Sequence, residues 1–445
     1  MEEAKYVHII GIGGIGTSAV AKWWKDQGAT VSGSDMHPSQ IIDDLEKHEI
    51  KTKIGHFADN VPTDCDLIIY SKAVPDTNVE RQIAVERGIT ELSYPEFLGE
   101  LAKTKKTIAV SGTNGKSTTT AMVAKILIDA GLDPTVILGS KMVELTDGNL
   151  RVGAGDWFVV EACEHMASML NIVPDIAVVT NIEEDHLDFY KDIDDIRETF
   201  AKWIASAKQF VVLNLKDEQS EKLEAKNLRK FDIEKRTSGR GEQSFTVKSP
   251  GTSANGAEVK LKIPGEFNAM NSAAAATAAA LAGVDSNMIA KALGNFKGIW
   301  RRFENVGKWK ETDVYSDYAH HPTAIEGTLK AFKEFFPERR LVICFEPHQH
   351  SRTHELFDEF VESFDLADVL ILSEVYRVTG RTEEEFEGSK ELAEAIERRG
   401  KIDTVKYAKD LKAAEDELRD LVEPEDIVVI MGAGPIDNLA RKLAG

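Results

Sequence analysis

The sequence predicts an α/β protein whose mainly parallel sheets are divided among three domains. Short apolar runs alternate with helical patterns along most of the chain, the rhythm of strand–helix–strand units. Two glycine-rich turns each lie between such a strand and a helix. A length of 445 residues, at roughly 150 residues per domain, suggests about three cores.

In order, Val7–Ile10 reads as a strand, Thr17–Gln27 as a helix closed by Gly28, and Thr30–Ser32 as the next strand. Leu67–Tyr70 is a further strand. The rhythm fades at Leu101–Lys106, a polar linker, so the first domain is expected at 1–104. A second series opens with Thr107–Val110 and the helix Ala121–Ala130, and includes strands at Phe158–Val160 and Ile176–Val179. Lys216–Gly256 turns polar and charged and reads as an elaborated surface region. The Ala273–Ala282 run is short and flanked by polar residues, which predicts a buried helix; a membrane span needs about 20 apolar residues. The second domain is expected at 105–307. From Lys308 the rhythm restarts, with strands at Val314–Ser316, Leu341–Phe345, Val369–Leu372 and Ile427–Ile430, which gives a third domain at 308–445.

Composition narrows the function classes. Hydrophobic residues make up 42% and aromatics 7%, ordinary for a globular chain and unlike disordered or fibrous ones. Lys+Arg is 54 against 75 Asp+Glu, a net charge of −21, which argues against a nucleic-acid or anionic-membrane surface. Cys65, Cys163 and Cys344 form no CxxC pair, so neither a disulfide framework nor a zinc site is expected. Met1–Lys5 runs straight into an apolar strand, so no signal peptide is expected and the cytoplasm is the natural compartment.

Gly11-Ile12-Gly13-Gly14-Ile15-Gly16 fits G-x-G-x-x-G between a strand and a helix, and Asp35 follows 19 residues after Gly16. The glycines let backbone amides approach a diphosphate at a helix N-terminus, and the acid suits a ribose. The geometry says diphosphate more firmly than it says NAD. The second turn, Ser111 to Thr120, contains Gly112-Thr113-Asn114-Gly115-Lys116-Ser117-Thr118. It is a shortened Walker-type loop, because Val110 stands where a full motif has its first glycine. Lys116 and the amides can hold β- and γ-phosphates, and the Ser117 hydroxyl can ligate Mg²⁺. Two such loops suggest two phosphate-bearing ligands.

Phe158–Val160 delivers Glu161, with Glu164 three residues on, to a strand's carboxyl end, where α/β folds bind ligands. Ile176–Val179 delivers Glu183, Glu184, Asp185 and His186. Glu161 and His186 suit a phosphate-held Mg²⁺, while Glu183 and Glu184 read as solvated. Asn268 and Asn271 are either caps of the Ala-rich helix or amides that read a base. Arg301-Arg302 could reach a phosphate. Asp317, His320 and His321 end one later strand, and His348, His350 and Arg352 end the next.

With these residues in view, nearly the whole chain resembles the Mur ligases. The resemblance rests on the Gly11–Gly16 loop, Ser71-Lys72-Ala73-Val74-Pro75, Gly112–Ser117, Glu161–Glu164, Thr180–His186, Ile263–Asn268, Arg301–Glu304, Asp317–Pro322 and Pro347–Thr353, in this order. It implies a Rossmann-like first domain, a central P-loop ATPase-like domain and a Rossmann-like third domain. It further implies a cytoplasmic amide ligase of peptidoglycan precursor synthesis, monomeric or a weak homodimer. UDP-N-acetylmuramate would occupy domain one and ATP–Mg²⁺ domain two, with domain three bringing L-alanine.

By the same resemblance Lys116 holds phosphates, and Ser117, Glu161 and His186 serve the metals. Asn271 meets adenine, Arg302 a phosphate and Asp317 the ATP ribose. Gly11, Gly13, Gly14, Gly16, Asp35, Ser71 and His56 face the UDP-sugar; His348 and Arg352 face the amino acid and the acyl intermediate. Asn114 and Ser117 stand where the L-alanine-adding members usually carry His and Thr, and Gln349 and His350 where they carry Arg and Tyr. Lys202 lies near a lysine that sibling ligases carbamylate. A muropeptide ligase, an NAD-dependent oxidoreductase and a non-catalytic UDP-sugar sensor are the rival readings.

Overall fold

The computed structural model describes residues 4–145, 147–187, 189–376 and 388–445. Two compact units emerge. The first comprises Met1–Glu234, Thr246–Val259 and Met270–Leu293; the second comprises Lys235–Phe245, Lys260–Ala269 and Gly294–Gly445.

In the first unit, β1 (Tyr6–Ile10), β2 (Thr30–Asp35), β3 (Lys51–Ile54), β4 (Leu67–Tyr70) and β5 (Thr90–Ser93) form a sheet in the order β3-β2-β1-β4-β5. Its pairs are parallel. The order reverses between β1 and β4, and a crevice opens there at the strands' carboxyl ends. Gly11 follows β1 and Ser71 follows β4, so both motifs sit at that crevice.

The next nine strands are β6 (Lys106–Ser111), β7 (Thr135–Ile137), β8 (Leu150–Arg151), β9 (Trp157–Glu161), β10 (Ile176–Val179), β11 (Phe210–Asn214), β12 (Leu228–Gly239), β13 (Glu242–Lys248) and β14 (Glu258–Leu261). Their order is β14-β13-β12-β11-β10-β6-β9-β7-β8. β6 pairs in parallel with β9 and β10, so the ends of all three strands place the phosphate loop, Glu161 and the Thr180–His186 segment side by side. The Lys216–Gly256 region corrects the sequence reading: much of it extends this sheet as β12 and β13. In β13 alternate residues Gln243, Phe245 and Val247 are buried, the period-2 pattern of a half-covered strand. The Ala-rich helix Glu266–Leu281 is buried as expected, with Ala273 through Ala276 and Ala278 and Ala279 at 0% exposure.

One apolar cluster runs through the first sheet and the central one. Trp24, Phe97 and Leu101 belong to it together with Phe158, Phe200 and Trp203. The helix Tyr94–Ala102 opens with a capping box, Ser93 and Glu96 satisfying each other's backbone amides. Gly99 on that helix lets it approach residue 171 closely: a Cβ there would stand 2.2 Å from the Asn171 carbonyl oxygen. Buried Lys22 donates to the Asp147 carbonyl and Asn149 Oδ1, and Asn149 Nδ2 donates back to Ile15 and Ser18.

The second unit holds β15 (Glu304–Trp309), β16 (Thr312–Asp317), β17 (Leu341–Phe345), β18 (Val369–Ser373), β19 (Thr404–Ala408) and β20 (Ile427–Met431), ordered β15-β16-β20-β17-β18-β19. β15 is antiparallel to β16 and the other pairs are parallel. β17, β18 and β20 are buried at every position, hence their unbroken apolar runs. Among the described residues no helix is long and apolar enough to cross a membrane.

Candidate active site

The phosphate loop leaves β6 at Ser111 and enters the helix Lys116–Asp129. Gly112 adopts φ +136°, and a Cβ there would lie 2.0 Å from Thr180 Oγ1; Gly115 adopts φ +82°, with Asn271 Oδ1 2.3 Å from its would-be Cβ. Glycine is therefore required at both places, and Asn271 is brought against the loop. The β10 segment braces the loop from the other side. Thr113 N donates to the Asn181 carbonyl, Asn114 N to Asn181 Oδ1 and Thr180 Oγ1 to the Asn114 carbonyl. Thr118 is buried inside the helix's first turn.

Lys116 Nζ folds back on its own loop, donating to the Gly112 and Thr113 carbonyls at 2.7 and 3.0 Å and to Glu164 Oε1 at 2.9 Å. Ser117 Oγ donates to Glu161 Oε2 at 3.0 Å, while Glu161 Oε1 accepts from Gly139 N at 2.7 Å. The structure thus joins Ser117 with Glu161. His186 lies instead beside Glu164, Nε2 being 3.6 Å from Oε1, and stacks on His165 with ring centroids 4.3 Å apart. Glu164, Asp185 and His186 each offer an atom within 4.8 Å of the others. Glu164 is 3% exposed, and its Oε2 is buried without a hydrogen-bond partner among the described residues. Carboxylate oxygens, a hydroxyl and an imidazole make a donor set that fits a hard divalent cation. Glu183 is exposed, as expected of a solvated loop residue; it also accepts from Asn114 Nδ2, and partial burial and the Asp217 charge raise its carboxyl above the ordinary value. Lys202 stands in an exposed pair with Glu198.

At the first sheet a cavity of about 440 Å³ is lined by Gly11, Gly14, Asp35, His56, Ser71 and Asn78 among others. Gly11 adopts φ +77°. Gly13 N donates to Asp35 Oδ2 at 2.8 Å, so the acid clasps the loop. Gly16 lies against the Tyr94 ring, with room for no Cβ. Beneath the cavity is a network the sequence did not disclose. Glu80, 0% exposed, accepts from His8 Nε2, Ser34 Oγ, Phe57 N and Asn60 Nδ2. Burial alone would raise its carboxyl, but these hydrogen bonds outweigh it and leave the group below the ordinary carboxylate value.

In the second unit, Asp317 ends β16 with its oxygens taken up by Phe303 N and Ala319 N, both at 2.9 Å. Burial raises its carboxyl above the usual range. The His320 ring lies 6.1 Å from the His348 ring, and burial, with Arg352, His348 and Arg302 nearby, lowers it to about 4. His348 also faces Tyr376. Gln349, at φ +72°, caps the short helix His350–Glu355, which carries Arg352; one Arg352 terminal nitrogen is buried without a hydrogen-bond partner among the described residues. His350 is 5% exposed. Arg302 is exposed and lies over Tyr318. Buried Arg301 donates to the Gly432 and Gly434 carbonyls. That Gly-rich turn after β20 packs on Glu346: a Cβ at Gly434 would lie 2.2 Å from Glu346 Oε2. Burial pushes the Glu346 carboxyl up to about 7. The Gly432-Ala433-Gly434-Pro435 stretch after an apolar strand was the available signal for this turn.

Comparison with known proteins places these features. Residues 6–106 match the Mur ligase family catalytic domain, 110–279 the Mur ligase middle domain, and 301–434 the Mur ligase glutamate ligase domain. UDP-N-acetylmuramate–L-alanine ligases of Caldanaerobacter subterraneus subsp. tengcongensis and Geotalea uraniireducens are 37% and 39% identical, each over 99% of this chain and 98% of its own length. The crystal structure of UDP-N-acetylmuramate-alanine ligase MurC from Thermotoga maritima is similar at a TM-score of 0.83 and 30% identity, covering 99% of this chain and 98% of that one. A murein peptide ligase from Psychrobacter arcticus shares the fold at a TM-score of 0.66 and 24% identity, covering 99% of this chain and 98% of that one. The chain belongs to the Mur ligase family.

Proposed function

We propose that this protein joins L-alanine to the lactyl carboxylate of UDP-N-acetylmuramate, consuming ATP and releasing ADP and phosphate in peptidoglycan precursor synthesis. The observation that carries the reading is the Lys116–Ser117 loop beside Glu161, Glu164 and His186, in a chain that spans 98% of relatives bearing that ligase name. Residues 1–104 bind the UDP-sugar, 105–307 ATP, and 308–445 the amino acid. The enzyme works in the cytoplasm as a monomer or weak homodimer.

A lactyl carboxylate oxygen attacks the γ-phosphorus and ADP leaves. The resulting acyl phosphate is attacked by the amine of L-alanine, and phosphate leaves as the amide forms. Phosphoryl transfer needs positioning and charge neutralisation more than covalent help. The Gly112–Thr118 amides cradle the phosphates, and Lys116 turns its ammonium from the loop carbonyls to them. Ser117 with Glu161, and His186 with Glu164 and Asp185, would hold Mg²⁺, which would neutralise phosphate charge. Asn271 meets adenine, Asp317 the ribose and Arg302 a phosphate. Arg352 and His348 hold the amino-acid carboxylate and the acyl intermediate. The ammonium of L-alanine must lose a proton before it attacks, and His348 is the candidate base.

Isotope transfer tests the chemistry. With ¹⁸O in the lactyl carboxylate, one label should appear in the released phosphate. Unlabelled phosphate would rule out the acyl phosphate route.

A further inference from the structure

His56 lines the first-sheet cavity, and its Nδ1 lies 2.9 Å from Ser34 Oγ. The Ser34 hydroxyl has one proton, and it goes to Glu80 Oε2 at 2.5 Å. Glu80 has nothing to give back. Phe57 N and Asn60 Nδ2 donate to its Oε1 at 3.0 and 2.7 Å, and His8 Nε2 sits 3.2 Å from Oε2. Three donors, Ser34 Oγ, Phe57 N and Asn60 Nδ2, converge on this fully buried group and, with His8 beside it, hold it below the ordinary carboxylate value, so it stands as a carboxylate. Ser34 Oγ can therefore meet His56 only as an acceptor, which requires a proton on His56 Nδ1. In the neutral ring the lone pair is then on Nε2, which makes no hydrogen bond among the described residues. This is the tautomer that a free imidazole disfavours, and it leaves an acceptor at Nε2 of a ring that lines the cavity.

We propose that Glu80, acting through Ser34, fixes the His56 imidazole in its Nδ1–H form so that Nε2 accepts a hydrogen bond from the nucleoside of the ligand. The inference rests on the UDP-sugar reading of the cavity and deepens it. A diphosphate has no proton to give near neutral pH. The donors a uridine carries are the N3–H imide of the base and the ribose hydroxyls, and His56 selects for one of them. Glu80 and Ser34 are positioning residues: they set which ring nitrogen bears the proton. A site built to pair with a ligand donor rejects an analogue that lacks it far more strongly than an apolar pocket would. Cytosine, whose N3 is an acceptor, is disfavoured by the same lone pair if the imide is the donor.

The test uses the full-length protein and calorimetric titration with UDP, N3-methyl-UDP, 2′-deoxy-UDP and 3′-deoxy-UDP. Wild type should bind UDP at least roughly ten-fold more tightly than one of the analogues, and that analogue names the donor. His56→Ala should erase the difference, and His56→Gln, which keeps an acceptor, should restore part of it. Ser34→Ala should raise KM for UDP-N-acetylmuramate about ten-fold, with kcat and the KM for ATP within two-fold. Ring-¹⁵N spectra should show His56 protonated on Nδ1 in wild type and shifted toward Nε2 in Ser34→Ala, a change that loss of packing alone does not produce. Equal affinity for all four nucleotides, or a wild-type ring protonated on Nε2, overturns the proposal. Failure of wild type to bind UDP at all overturns the nucleotide reading beneath it, a separate and recognisable result.

Discussion

On the proposed reading Lys116 is the positive charge that its loop offers a nucleotide, and it is held by two carbonyls and Glu164. Lys116→Ala should abolish turnover while UDP-sugar affinity stays within about two-fold of wild type, because the glycine loop at Gly11 lies on another sheet. Loss of both would show that the two loops are not independent. Glu346 makes a prediction of the opposite kind. Its folded-state carboxyl titrates near 7, above its unfolded value, so the native state holds the extra proton. Stability from this group is present below about pH 4.5 and is lost as pH rises to about 7. Glu346→Gln keeps the neutral form. It should melt a few degrees higher than wild type at pH 8 and match it near pH 4.5, a gain on the order of 2 kcal/mol. Equal melting at pH 8 would contradict the burial argument. Residues such as Glu346 and Glu80 were illegible in the sequence because a buried carboxylate in a helix or at a strand end reads like any solvated one. That Lys116, Glu161 and His186 follow neighbouring strand ends was legible from the apolar runs that precede them.

Elements carry the site by where strands end. β6, β9 and β10 terminate side by side, so three turns distant in sequence converge. Gly112 shows how tight the convergence is: with Thr180 Oγ1 2.0 Å from its would-be Cβ and φ at +136°, Gly112→Ala should displace the loop and cost at least about 100-fold in kcat/KM. An active Ala variant would mean the loop is looser than drawn. Gly99 tests a helix contact. In a helix interior Ala normally gains about 1 kcal/mol over Gly, yet here its Cβ meets the Asn171 carbonyl at 2.2 Å. Gly99→Ala should therefore destabilise by about 1–3 kcal/mol in denaturant melts, whereas a gain would contradict the packing. The same scale explains the misreading of Lys216–Gly256. Charged residues on the outward positions of β12 and β13 masked an alternation that Gln243, Phe245 and Val247 keep on the inner face. The mainly parallel strands were easier to read because their buried runs are continuous.

For the whole molecule, a net charge of −21 and two polyanionic substrates pull in opposite directions. On the proposed reading attraction is local, from backbone amides, Lys116, Arg302, Arg352 and the Mg²⁺ they would share. The proposed division assigns one reactant to the strand ends of each of the five-stranded, nine-stranded and six-stranded sheets. Amino-acid choice is where this chain departs from its resemblance, since Gln349 and buried His350 stand where a cation and a tyrosine were expected. The central claim is therefore tested by phosphate release from ATP with UDP-N-acetylmuramate, offering L-alanine, L-serine, glycine, D-glutamate and the muropeptide tripeptide in parallel. Turnover should be highest with L-alanine and should require the UDP-sugar. Turnover only with the tripeptide, or none with any acceptor, would contradict the account.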